Sequence, residues 1–230
     1  MKRFWKEAEV AEQDSGWAVL LDGRPVRTPA KRQVIVPVRL MADQIAGEWA
    51  AQDDEVDPLS MPMMRTAATC LDRVEPELDA VHQTIAAYGE TDLLCYRADH
   101  PEALVARQAA SWDPLLSWAA RHFGANLNTG AGVMHIPQPG DAIRVLSAAV
   151  AAEQAWTLTA LADLTTISGS LVLALAVRHG EIPADEAWAV SRIDENWNIE
   201  KWGEDHDAAQ QAARREADFL HAARVLDILS

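Results

Sequence analysis

The first forty residues carry the pattern of strands, with β-forming residues in short runs. "RFWKEAEVAEQ" and "GWAVLLDGRPVRTP" are two such runs, "RQVIVPV" is a third, and "DGRP" (Asp22 to Pro25) reads as the turn between the first two. From Pro37 the period changes. Met41, Ile45 and Trp49 recur at i, i+4 and i+8, so "VRLMADQIAGEWAAQ" predicts a helix with one apolar face, packed on a small antiparallel sheet. "DDEVDPLSMP" reads as a loop.

Beyond Met61 the pattern is mostly helical. "MMRTAATCLDRV" and "ELDAVHQTIAAYG" predict two helices broken near Pro76, and "TDLLCYRAD" an extended insert. "PEALVARQAASWDPLLSWAARHFG" predicts a helix bent at Pro114, and "TGAGVMHIPQPG" a loop holding at most one short strand. Alanine-rich helices follow to Gly180. Pro183 suits the first turn of the next helix, with Asp185 and Glu186 beside its positive end. A last helix is expected from about Asp207 to Leu229, with Ala212, Phe219, Ala223 and Leu226 on one stripe. The expected fold class is α+β, with a small N-terminal antiparallel β-sheet domain and its helix over residues 1–75, then a larger all-helical domain over 76–230.

Composition narrows the function. The chain has 230 residues, 49% of them apolar, enough for a sizeable core. Its net charge of −15 repels phosphate backbones and argues against a nucleic-acid partner. The two cysteines, Cys70 and Cys95, form no C-x-x-C, which points to a reducing compartment and to buried, inert thiols. "MKRFWKEAEVAEQ" lacks the apolar run of a secretory signal and the bias of a transit peptide. "TTISGSLVLALAVRHG" is too short and too interrupted to span a bilayer. The expectation is a soluble cytoplasmic protein without stable membrane association.

The familiar catalytic motifs do not occur. No G-x-x-x-x-G-K-[ST], G-x-S-x-G or H-E-x-x-H appears. "GAGVMH" (Gly130 to His135) starts like a dinucleotide loop but lacks the third glycine and the strand-to-helix context. "EDHD" (Glu204 to Asp207) offers one imidazole among three carboxylates, which could ligate a divalent cation in an HD-like metal-dependent phosphohydrolase. No other histidine is spaced as its second ligand, so these carboxylates are better read as the start of the last helix, where the dipole favours negative charge. No metal and no cofactor is expected.

One stretch stands apart. "WAVSRIDENWNIEKWGEDHDAA" (Trp188 to Ala209) concentrates three of the chain's nine tryptophans among six carboxylates. On a helix at 100° per residue, Trp188, Arg192, Glu195, Ile199 and Trp202 share one stripe, and Val190, Ile193 and Trp197 lie opposite. A surface helix needs only one apolar face. Either Arg192 and Glu195 pair inside a tryptophan-lined core, or they form a charged hook on a face that binds a partner. Spacing leaves both open.

The chain resembles the chaperone family that assembles the F-type ATP synthase by holding its unassembled alpha subunit, the ATP-twelve type. The likeness lies in "RFWKEAEV", "GWAVLLDGRPVRTPAK", "LMADQIAGEWAAQ", "TDLLCYRADHPEALVARQAASWDPLLSW" and "DENWNIEKWGEDHD", which occur in the family's order over nearly the whole chain. The resemblance implies a β-containing N-terminal domain before a helical one. It implies that Glu195 is the glutamate the family needs, and that Trp49 matches a tryptophan whose loss impairs its members. Between "WG" and "HD" this chain has only Glu204 and Asp205, where many relatives carry a longer insert with a further aromatic. The resemblance thus implies a holdase without ATP hydrolysis, whose client is the alpha subunit. Glu195, Arg192, Trp188, Ile199 and Trp202 are the expected client-binding residues. The alternative is the phosphohydrolase.

Overall fold

Strands β1 (Ala8–Gln13) and β2 (Gly16–Leu21) pair antiparallel, with Val10 opposite Val19 and Ala11 opposite Ala18. The register leaves Asp14 and Ser15 as the turn between them. Asp22 and Gly23 instead turn β2 into β3 (Arg24–Pro25), both with positive φ (46° and 76°). So "DGRP" does make a turn, but one position later in the topology than expected. A left-handed pair of residues matches the strand twist, and Asp and Gly tolerate it best. The Asp22 carboxylate also accepts the backbone N–H groups of Lys6 and Glu7 at about 3 Å, and these hold its pKa below the usual value. Strand β4 (Ile35–Val36) completes the sheet against β2. Gly16 is required there, because a Cβ on it would lie 2.4 Å from the Val36 carbonyl oxygen.

In this computed structural model, which describes residues 2–230, the chain groups into two units. The first takes the N-terminal residues through Leu78, with the returning segments Gln154–Ala160 and Arg224–Ser230; the second takes Asp79–Glu153 and Leu161–Ala223.

In the first unit, helix α1 (Arg39–Ala50) packs on β1 and β2 through Met41, Ala42, Ile45, Ala46 and Trp49, all buried. That is the stripe expected from the i, i+4 spacing. The Trp49 ring meets Trp5 edge-on at 5.0 Å, and Trp5 Nε1 donates to the Trp49 carbonyl at 3.3 Å. Glu48, on the same helix, accepts the N–H groups of Met63 (2.6 Å) and Met64 (2.8 Å), and so caps α2 (Pro62–Thr69) from outside. After α2 one π-type turn runs over Cys70–Val74, closed by Glu75 N–H on the Cys70 carbonyl. The expected loop at residues 53–62 contains a single 3₁₀ turn, Pro58–Ser60, capped by Asp57, and its last residue, Pro62, opens α2.

The second unit is helical apart from one small ladder. It contains α3 (Leu78–Ala86), α4 (Glu102–Phe123), α5 (Gly140–Ala151), α6 (Ala155–Ser168), α7 (Leu171–Arg178), α8 (Ala184–Ser191), α9 (Ile193–Trp202) and α10 (His206–Ile228), whose outer turns run into the first unit at α3, α6 and α10. Helix α4 runs without interruption through Pro114. Pro114 and Ala110 are both exposed, so water can take the carbonyl that the missing N–H leaves free. The fold class is the α+β one expected, with the sheet first and helices after it. "TDLLCYRAD" is the exception. It forms a 3₁₀ turn at Leu93–Cys95 and then β5 (Tyr96–Arg97), which pairs in parallel with β6 (Gly130–Ala131).

Asp92 explains that departure. It is fully buried, and its carboxylate accepts the N–H of Leu94 (3.0 Å), the hydroxyl of Ser170 (2.7 Å) and the N–H of Val172 (2.9 Å). One side chain thus ends the loop and caps α7, whose residues Leu171 to Ala176 are all at 0% exposure. Helix α7 is the apolar run of the sequence, enclosed by protein. No helix among the described residues is long and apolar enough to cross a membrane.

Candidate functional site

Trp188 to Trp202 do not lie on one helix. Helix α8 ends at Ser191 and α9 begins at Ile193, with Arg192 between them at φ −113° and ψ 22°. Two bonds make the break. Ser191 Oγ donates back to the Trp188 carbonyl at 2.7 Å, and Arg192 N–H bonds the Ala189 carbonyl three residues back. Asn196 N–H on the Arg192 carbonyl then opens the new helix.

The break re-sorts the expected stripe. Trp188 is 7% exposed and packs toward Phe219 at 5.8 Å. The Arg192 guanidinium lies over the Trp188 ring at 5.2 Å. Ile199 is 36% exposed and Trp202 85%. Glu195 is exposed, and among the described residues no ion pair joins it to Arg192. Gly203, at φ 88°, ends α9 and turns the chain into α10.

Helix α9 is fixed to the unit by α4. Gln108 Nε2 donates to Asp194 at 2.6 Å, and Arg107 makes a two-pronged pair with Glu200 at 2.7 and 3.0 Å. Arg107 and Lys201 both lie over the Trp197 ring, at 4.9 and 4.6 Å. Trp112 Nε1 donates to the Val190 carbonyl at 3.0 Å. Ile193, on the opposite face in the single-helix reading, is buried. One face of α9 is therefore spent on the core, and the other is open.

That open face borders a groove of about 520 Å³. Trp188, Arg192, Ile199 and Trp202 line it, whereas Glu195 does not. The far wall comes from α10, through Ala208, Ala209, Ala212 and Ala213, with Glu204, Asp205 and Glu216 at the edge. Periodicity within one helix could not reveal this wall. The available signal was the alanine pattern itself, since i, i+1, i+4, i+5 places four small side chains on one face.

The remaining candidates resolve locally. Asp205 Oδ1 accepts Ala208 N–H at 2.9 Å, so "EDHD" starts α10, and His206 contacts Gln210 at 2.8 Å. Among the described residues no three His, Cys, Asp or Glu side chains gather as a metal site, so the geometry does not support the phosphohydrolase alternative. Cys70 and Cys95 are buried, and burial pushes both thiols up to about 12, which keeps them protonated near neutrality. Gly130 of "GAG" sits in β6 against Ile136, away from any strand-to-helix turn.

The sheet-and-helix unit followed by helices is the architecture of a known class of assembly chaperones, as solved structures of that class show. The family model described as ATP12 chaperone protein matches residues 2–120, just over half of the chain, and the chain belongs to that family. Beyond residue 120 the likeness is carried by solved structures. The crystal structure of Atp12 from Paracoccus denitrificans is 45% identical, covers 100% of this chain and 98% of its own, and superposes with a TM-score of 0.95. A candidate chaperone from Agrobacterium tumefaciens is 42% identical, with coverage of 100% and 86% and a TM-score of 0.94. Protein atp12, mitochondrial, of Schizosaccharomyces pombe is 22% identical over 90% of this chain and 75% of its own length.

Proposed function

We propose that this protein is an assembly factor of the F-type ATP synthase, which binds the unassembled alpha subunit and keeps it from aggregating until it meets beta. Subunit interfaces that await a partner expose apolar surface like that of a core cut in half, and covering them suppresses aggregation. The observation that carries the reading is the groove: Trp202 is 85% exposed beside half-exposed Ile199, within a chain of a chaperone family. A tryptophan left in water on a rigid helix is the residue type that dominates protein interfaces. Trp188, Arg192, Ile199 and Trp202 supply the contact surface, and Glu195 stands exposed beside it as a charged contact. Trp49 serves the fold. The client is released by competition from beta, without nucleotide hydrolysis by the chaperone, and the work is done in the cytoplasm.

The test is co-expression of this chain with the cognate alpha and beta subunits, each alone and together, followed by its recovery. Alpha alone should be captured and beta alone should not, and beta should displace the chaperone from alpha. Equal capture of both subunits, or of neither, would overturn the reading.

A further inference from the structure

We infer that the groove between α9 and α10 holds an α-helix of the client that carries an apolar edge flanked by lysine or arginine. The inference rests on the chaperone reading and names the chemistry of what is bound. Its first support is shape. Helix α10 presents alanines to the groove at positions 208, 209, 212 and 213, and side chains this small let another backbone approach closely. Ile199 and the Trp202 ring stand on the opposite wall, 36% and 85% exposed. A groove with one smooth helical wall and one wall of large apolar side chains suits an amphipathic helix laid along it.

The second support is charge. Three carboxylates edge the groove, Glu204, Asp205 and Glu216, against the single guanidinium of Arg192. Arg192 already lies on the face of Trp188. Asp205 spends one oxygen on the N–H of Ala208, while its charge remains. Glu195 adds a further exposed carboxylate one turn away on α9. The groove therefore selects cations at its edge and apolar groups at its floor. A second copy of this chain would bring the same acidic edge, and a net charge of −15, against itself. A small-molecule site is also a poor match, because such sites enclose their ligand and converge polar groups on it, whereas Trp202 sits at an open lip.

The experiment uses the full chain and three fluorescently labelled synthetic helical peptides of about four turns. One has a leucine edge with flanking lysines, one the same edge with glutamates, and one the lysines without the leucine edge. Anisotropy should show binding of the first alone, weakened by added salt. Trp202→Ala, and separately Glu204→Lys with Glu216→Lys, should each weaken it by about tenfold or more. Trp202 is exposed, so its variant should melt with the wild type, and a melting curve checks both variants. Equal binding of the glutamate peptide, or of lysines without leucines, would overturn the inference. So would a concentration-dependent dimer that Trp202→Ala dissolves. The two readings fail separately. If alpha is captured undiminished by both variants, the groove inference falls and the client reading stands. If the lysine–leucine peptide binds but alpha is not captured, the client reading falls instead.

Discussion

The guanidinium of Arg192 lies 5.2 Å from the centre of the Trp188 ring, so its charge rests on an aromatic face and not on a carboxylate. Glu195 is left exposed, without a bond to the fold among the described residues. Removing its charge should therefore leave stability within about 0.5 kcal/mol of wild type, as for surface positions generally. Glu195→Gln should melt normally and capture less alpha subunit, and Glu195→Lys should capture less still. The measurement is a melting curve beside the capture assay. A large loss of melting temperature for Glu195→Gln would assign the residue to the fold, and unchanged capture would remove it from the binding surface.

Trp49 is 8% exposed and holds Trp5 edge-on at 5.0 Å. Trp49→Arg should cost about 3–5 kcal/mol for the lost aromatic, and more for the charge set in its place. The Trp49 Nε1 finds no acceptor among the described residues, and a buried donor without a partner costs about 1–3 kcal/mol. Trp49→Phe removes that donor and keeps most of the ring, so it should be far milder than Trp49→Arg. Urea titration of both variants separates these outcomes. A Trp49→Arg protein as stable as wild type would refute the packing role.

Asp92 makes stability depend on pH. Burial raises its carboxyl from 3.8 to about 6, against the bonds from Val172, Ser170 and Leu94, which favour the charged form. The folded protein thus holds the proton more tightly than the unfolded chain does. This contribution is complete below about pH 4 and is lost as pH rises through about 6. The stability of wild type relative to Asp92→Asn should be greatest near pH 4 and shrink toward pH 7, by denaturant titration across that range. A constant difference would show that Asp92 titrates alike in both states. Asp92→Ala should be destabilising at every pH, by about 1–3 kcal/mol for each donor it strands.

The sequence alone determined the elements whose signals are local. The apolar face of α1 follows from Met41, Ile45 and Trp49 recurring every turn, and the Asp22–Gly23 turn follows from the two residue types that accept positive φ. The order of sheet, then helices, follows from the change of period after Pro37. Tertiary structure decided what depends on residues far apart. Asp92 could be placed in the core only because Ser170, 78 residues later, comes to meet its carboxylate. Trp188, Arg192, Ile199 and Trp202 were grouped by the spacing of one helix, yet the chain breaks at Arg192, and they border one groove only because α10 folds back beside them. Periodicity records which side chains share a helix face; a single residue off the helical angles turns every later position. The partner wall, Ala208 to Ala213, then depends on where the next helix packs, which no local pattern contains.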